Sequence, residues 1–157
     1  GITIGVDTHM ETRKFAVLAA VLVAVFLAAS PARAASGLPS EEGRDILIIS
    51  TLLRFNDANL SGNYSVLRDR ASRQFREQNS LSKVSGAFKV FRDLSINLEE
   101  VITRDIQPDE DGETAHGGIL RLSGFMDLSQ YRMKYELRYV NDGGEWKLLS
   151  INVDVKS

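Results

Sequence analysis

The sequence predicts an α+β fold: three helices, then a curved four-stranded antiparallel sheet. Three observations carry this. Apolar residues recur at 3/4 spacing from about residue 41 to residue 94. From residue 97 onward they alternate instead. Between two of the alternating runs sits the turn signal Asn141-Asp142-Gly143-Gly144.

Each element has a local reason. Ser40 followed by Glu41 and Glu42 suits a helix start, because a serine oxygen and first-turn acids satisfy free amides. The first helix is expected over residues 41–60, with Ile46, Ile49, Leu52, Leu53 and Phe55 on its apolar stripe. Gly62 is placed to take the left-handed cap. Asn63 opens a second helix with the stripe Tyr64, Leu67, Ala71 and Phe75. Ser80 opens a third, carrying Val84, Ala87, Phe88 and Phe91, with Gly86 as a weak point inside it. Strands are expected over residues 97–106, 119–126, 130–140 and 146–155. Residues 107–118 read as an acidic loop without periodicity.

The run Gln130 to Val140 decides the sheet. Tyr131, Met133, Tyr135, Leu137 and Tyr139 alternate with Arg132, Lys134, Glu136 and Arg138. On a helix, at about 100° per residue, the apolar set scatters around the cylinder. On a strand it occupies one face. A three-residue loop, Asp142-Gly143-Gly144, would pair Leu137 with Leu149, Tyr135 with Ile151, Met133 with Val153 and Tyr131 with Val155. A four-residue loop after Met126 would pair Leu122 with Tyr135 and Leu120 with Leu137. This strand is then central, with its tyrosines toward the helices.

The N-terminal part reads differently. Residues 1–9 read as a cloning remnant or an over-extended start site before Met10. Residues 10–34 have the layout of a secretory signal: Arg13 and Lys14, an apolar run over residues 15–29, then Ala32-Arg33-Ala34. The rival reading is an uncleaved anchor, but a spanning helix needs about 20 apolar residues. Cleavage is expected after Ala34, giving a periplasmic or secreted protein with no membrane attachment. Residues 35–45 form a linker and residues 46–157 a single domain.

Composition excludes several chemistries. The net charge of -2 provides no basic field for nucleic acid. The absence of cysteine removes disulfides, thiol catalysis and thiolate metal sites. His9 and His116 are the two histidines and neither sits in a ligand cluster, so no metal and no cofactor are expected. The acidic stretch 108–113 lacks the ligand spacing of a calcium loop. The arginines at 68, 70, 73 and 76 alternate with Asp69 and Glu77 and read as a solvated face.

Two stretches carry a resemblance. One is Phe55-Asn-Asp-Ala-Asn-Leu-Ser-Gly-Asn-Tyr64, with Asn63 where an aspartate is usual. The other is Gly143-Gly-Glu-Trp-Lys-Leu-Leu149. Together they resemble the nuclear transport factor 2-like (cystatin-like) superfamily, in which a curved sheet wraps a long first helix to form a cone. The resemblance spans residues 46–155. It implies a fold and says little about activity, because the superfold hosts enzymes and binding modules alike. The Gln-x-Val-x-Gly hairpin of cystatin inhibitors is missing. Enzymes of the superfamily place an acid or base in the cone, and no such residue stands out here, so no catalytic residue is assigned. The ligand-contact candidates are Tyr131, Tyr135 and Tyr139, with Asn56 and Asp57 at the end of the first helix. The expected function is a non-catalytic binding module for a small molecule or a protein, monomeric or weakly dimeric. The alternatives are a pocket enzyme, an isomerase or hydrolase using a buried carboxylate and a tyrosine, and a scaffold domain.

Overall fold

The computed structural model describes residues 2–5 and 37–157. The signal segment expected at residues 10–34 and its cleavage site lie outside the described residues. Among those described, no helix is long and apolar enough to cross a membrane.

The architecture is α+β, with one antiparallel sheet in the order β1-β5-β4-β3-β2. The strands are β1 (Ile2–Gly5), β2 (Gln107–His116), β3 (Ile119–Asp127), β4 (Arg132–Asp142) and β5 (Glu145–Lys156). Among the described residues there are five strands rather than four, because Ile2–Gly5 adds to the edge of β5, opposite Ser150 to Val153. Ile4 is buried there, and Asn79 donates its amide to the Gly5 carbonyl at 3.3 Å.

The expected three helices are one long helix and four short ones. α1 (Glu41–Ser61) begins as expected, with Ser40 Oγ accepting from the Gly43 amide at 3.0 Å. It ends at Gly62, whose φ is 72°. Its buried face is Ile48, Thr51, Leu52, Phe55, Asn56, Ala58 and Asn59. Ile46, expected in the core, is 59% exposed. The second expected helix is two, α2 (Ser65–Asp69) and α3 (Arg73–Gln78). The chain turns between them because Ser72 starts a new helix, its Oγ accepting from the Phe75 amide at 3.1 Å. The third is also split, into α4 (Leu81–Ala87) and α5 (Lys89–Asp93), just after Gly86. Phe88 at that break packs edge-on against Phe55, with ring centroids 4.8 Å apart. Such a contact between buried rings adds about 0.5–1.5 kcal/mol to their burial.

The first strand lies about ten residues later than expected. Ile96, Leu98 and Val101 are buried, but on a turn and a 3-10 helix (Glu99–Ile102). Asn56 enforces this turn: its Oδ1 accepts from the Leu98 amide at 2.7 Å and its Nδ2 donates to Asn97 at 3.1 Å. The strand is instead β2, in the stretch read as a loop. Most of its residues are exposed or half-buried on both faces, so no apolar alternation marks it. Its ladder is broken between Pro108 and Glu113, where the chain bulges out.

The register differs from expectation by two residues on both sides of β4. Asp142 pairs with Glu145, so the β4–β5 turn is the two-residue Gly143-Gly144, both at positive φ. This is the twist that hairpin strands favour. A bulge between Arg138 and Tyr139 then shifts the ladder, giving Leu137–Ile151, Tyr135–Val153 and Met133–Val155. Across β3 the pairs are Met126–Met133, Leu122–Leu137 and Leu120–Tyr139. Beyond the bulge the shift is two residues, so Met133, Tyr135, Leu137, Ile151, Val153 and Val155 keep their expected face. Between the bulge and the turn it is one residue, so Leu148 and not Lys147 lies opposite Tyr139, and Leu149, expected opposite Leu137, falls in the bulge. Met133, Tyr135, Leu137 and Tyr139 are buried. The opposite face carries Glu136 paired to Arg121 and Arg138, each at 2.9 Å. Partial burial acts to raise the Glu136 carboxyl, but these two guanidiniums outweigh it and hold the group below its ordinary value.

Gly124 lets β2 and Tyr135 approach β3. A methyl group there would run into the Gln107 carbonyl and lie 2.7 Å from the Tyr135 hydroxyl. Gly124→Ala is expected to destabilise the protein by about 1–3 kcal/mol through this overpacking. Urea unfolding measures it, and an unchanged midpoint would show that β2 is not held against β3 at this point.

Candidate functional site

The three tyrosines share one side of the sheet, but they open into three separate clefts. Tyr131 lies in the β3–β4 connection, half-buried, beside the 3-10 helix. Tyr135 stands in a cleft with Asp45, Asp109, Glu110 and Glu113, closed in part by the Arg44–Glu113 ion pair. Burial first, then the fields of Asp109 and Asp45, push its phenol well above its ordinary value. It therefore keeps its proton near neutral pH. Asn56 is spent on Asn97 and Leu98, and Asp57 is exposed. His116 is exposed at the end of β2. Among the described residues, no group of histidines or acids is arranged to hold a metal ion.

Tyr139 lies at the floor of the third cleft, about 500 Å³ in volume. One wall is a stripe of α1: Gly43, Leu47, Ser50, Thr51 and Arg54. The other is the β4–β5 hairpin, through Tyr139, Trp146 and Leu148, with Leu67 and Arg70 closing the side. The bulge in the β4–β5 ladder shapes this wall. Beside it the Leu148 carbonyl accepts from the Ser72 amide at 2.9 Å, which ties the short helices to the sheet beside the opening.

The Tyr139 hydroxyl donates to the Leu47 carbonyl at 3.1 Å and lies 2.8 Å from Thr51 Oγ1. A phenol has one proton, so Thr51 is the donor in the second bond. Burial raises the Tyr139 phenol far above its ordinary value, and it stays neutral. Arg54 is half-buried nearby. Desolvation lowers its guanidinium from the ordinary value, the neighbouring Arg70 lowers it further, and Tyr139 partly offsets both. Among the described residues no carboxylate pairs with Arg54 or with Arg70.

Of the expected contacts, only Tyr139 belongs to this cleft. Arg54 and Thr51 are absent from the sequence expectations, Arg70 stands there only as part of a solvated face and Trp146 only as part of the last strand. The available signal was the spacing Leu47, Ser50, Thr51, Arg54, a second helical stripe beside the core stripe that ends in a cation.

Tyr139→Phe removes both hydrogen bonds of the hydroxyl, the one to the Leu47 carbonyl and the one from Thr51. The expected cost is about 1–2 kcal/mol, lost without change in cleft shape. Thermal unfolding of the variant tests it, and a wild-type midpoint would mean that the hydroxyl does not tie β4 to α1. Comparison with protein-family models, curated proteins and solved structures finds no match for the chain.

Proposed function

We propose that the chain is an exported, non-catalytic binding module of nuclear transport factor 2-like type, which holds a small molecule between α1 and the β4–β5 hairpin. The observation that carries this is the cleft of about 500 Å³ lined by Arg54, Arg70, Trp146 and apolar side chains. Its size and its mixture of apolar wall with charged and hydroxyl side chains suit a ligand of modest mass that is itself part polar.

The enzyme reading has less support. It requires a carboxylate within reach of a tyrosine hydroxyl. The Tyr139 hydroxyl is engaged by Thr51 and Leu47, and that of Tyr64 by Asn59 and Arg92. Tyr135 has acids around it but holds its proton too firmly to act as a base near neutral pH. The scaffold reading would use the outer sheet face, where Arg121, Glu136 and Arg138 are paired with one another; such a charged surface does not favour a large apolar interface.

A ligand that binds only the folded chain raises its stability, by about 2.7 kcal/mol at one hundred times the dissociation constant. A thermal-shift screen of small organic acids, amines and neutral amphiphiles is therefore expected to find at least one class that raises the midpoint. Light scattering over a concentration series is expected to show a monomer or weak dimer throughout. A screen with no hits, together with concentration-dependent assembly, would replace the binding module by the scaffold.

A further inference from the structure

We propose that Arg54 and Arg70 together hold the carboxylate of a singly charged amphipathic acid, with its apolar body against Trp146 and Leu67. This rests on the reading of the cleft as a small-molecule site.

The first ground is the state of Arg54. A guanidinium half-withdrawn from water normally has an acid beside it, because desolvation of an unpaired charge is unfavourable. Here Arg54 shares the cleft with a second cation, Arg70, and among the described residues no carboxylate is paired with it. An anion in the cleft relieves both the desolvation and the repulsion from Arg70. Guanidinium groups also present paired N–H donors that match the two oxygens of a carboxylate.

The second ground is the charge count of the lining. Arg54, Arg70 and Lys147 face Asp69 and Glu145, a surplus of one cation. Lys147 lies 4.0 Å from Asp142, and Asp69 lies 4.0 Å from Arg68, so the rim charges are shared with neighbours outside the cleft. A single negative charge balances this set. A phosphate dianion would overshoot it and meet the two acids.

The third ground is the apolar wall. Ile46 is exposed at the opening although it is a large aliphatic residue on a helix that otherwise buries its stripe. Trp146 and Lys147 are half-buried and line the cleft with Ile46, Leu47 and Leu67. These surfaces accommodate an alkyl or aryl body, which neither inorganic phosphate nor a small dicarboxylate possesses.

Trp146 is the sole tryptophan of the chain, so its emission reports on this cleft alone. The full chain is titrated with octanoate, with 1-octanol and with inorganic phosphate. Octanoate is expected to saturate the emission change, octanol to bind about tenfold more weakly or worse, and phosphate to produce no saturable change. Arg54→Gln and Arg70→Gln are each expected to weaken octanoate by about tenfold or more and to leave octanol unaffected. Arg70 is exposed, so its variant keeps the fold and serves even if Arg54→Gln melts early. Octanol binding as tightly as octanoate would overturn the arginine assignment and leave the binding cleft standing. Phosphate displacing octanoate at equal concentration would overturn the monocarboxylate. No change in Trp146 with any of the three would overturn this proposal and the small-molecule reading of the cleft with it.

Discussion

Strict alternation along β4 is the constraint on which the rest of the molecule depends. Met133, Tyr135, Leu137 and Tyr139 must all leave water, and charged residues between them must not. A strand of this kind has one permissible face, and whatever covers that face becomes the second layer. α1 meets the requirement with Leu52 and Phe55, both fully buried. Phe55 in turn anchors Phe88 and Phe91, at centroid distances of 4.8 and 5.0 Å, and so places the short helices. The Tyr139 hydroxyl fixes where α1 lies along the strand, because it bonds to one turn of that helix at Leu47 and Thr51.

The same constraint explains which parts of the structure were legible in the sequence. The face assignment of β4, and of β5 beyond the bulge, survives a two-residue error in register, because parity is what burial selects. Before the bulge the error is one residue, and Leu148 takes the face expected of Leu149. The register itself depends on a turn and a bulge. Asp142-Gly143-Gly144 suits a three-residue loop as well as a two-residue one, and the bulge at Arg138/Tyr139 has no signature in composition. β2 was illegible for the opposite reason. It lies on the sheet edge with both faces largely in water, so burial exerts no selection that a pattern could reveal. Residues 96–101 imitated a strand because three buried apolar residues can be spaced two and three apart on a tight turn. β1 had no signal at all, since four residues are too few to show a period.

The site was harder to read than the fold because its parts come from three separate segments and only one of them is patterned. The tyrosine ladder suggested a common lining, but positions on one strand face that are four apart lie roughly 13 Å apart along the strand. Neighbouring tyrosines therefore sit in different surroundings: Tyr135 among acids, Tyr139 beside two arginines. Arg54 was hidden by its position. On a helix of 21 residues it belongs to the boundary between the core stripe and the exposed side, where an arginine ordinarily lays its stem on apolar surface and leaves its head in water.

Arg54 is half-buried in the cleft that it lines with Arg70 and Tyr139. The phenol gives its proton to the Leu47 carbonyl and accepts one from Thr51. Its oxygen is thus fixed with its dipole set by the helix rather than free to turn toward solvent. A neutral dipole can offset only part of the desolvation of a full charge. The rest is left for a group that enters from outside. The rigid pair Tyr139–Thr51 therefore does two things at once: it locks the sheet to α1, and it holds the base of a cleft in which one positive charge remains to be matched.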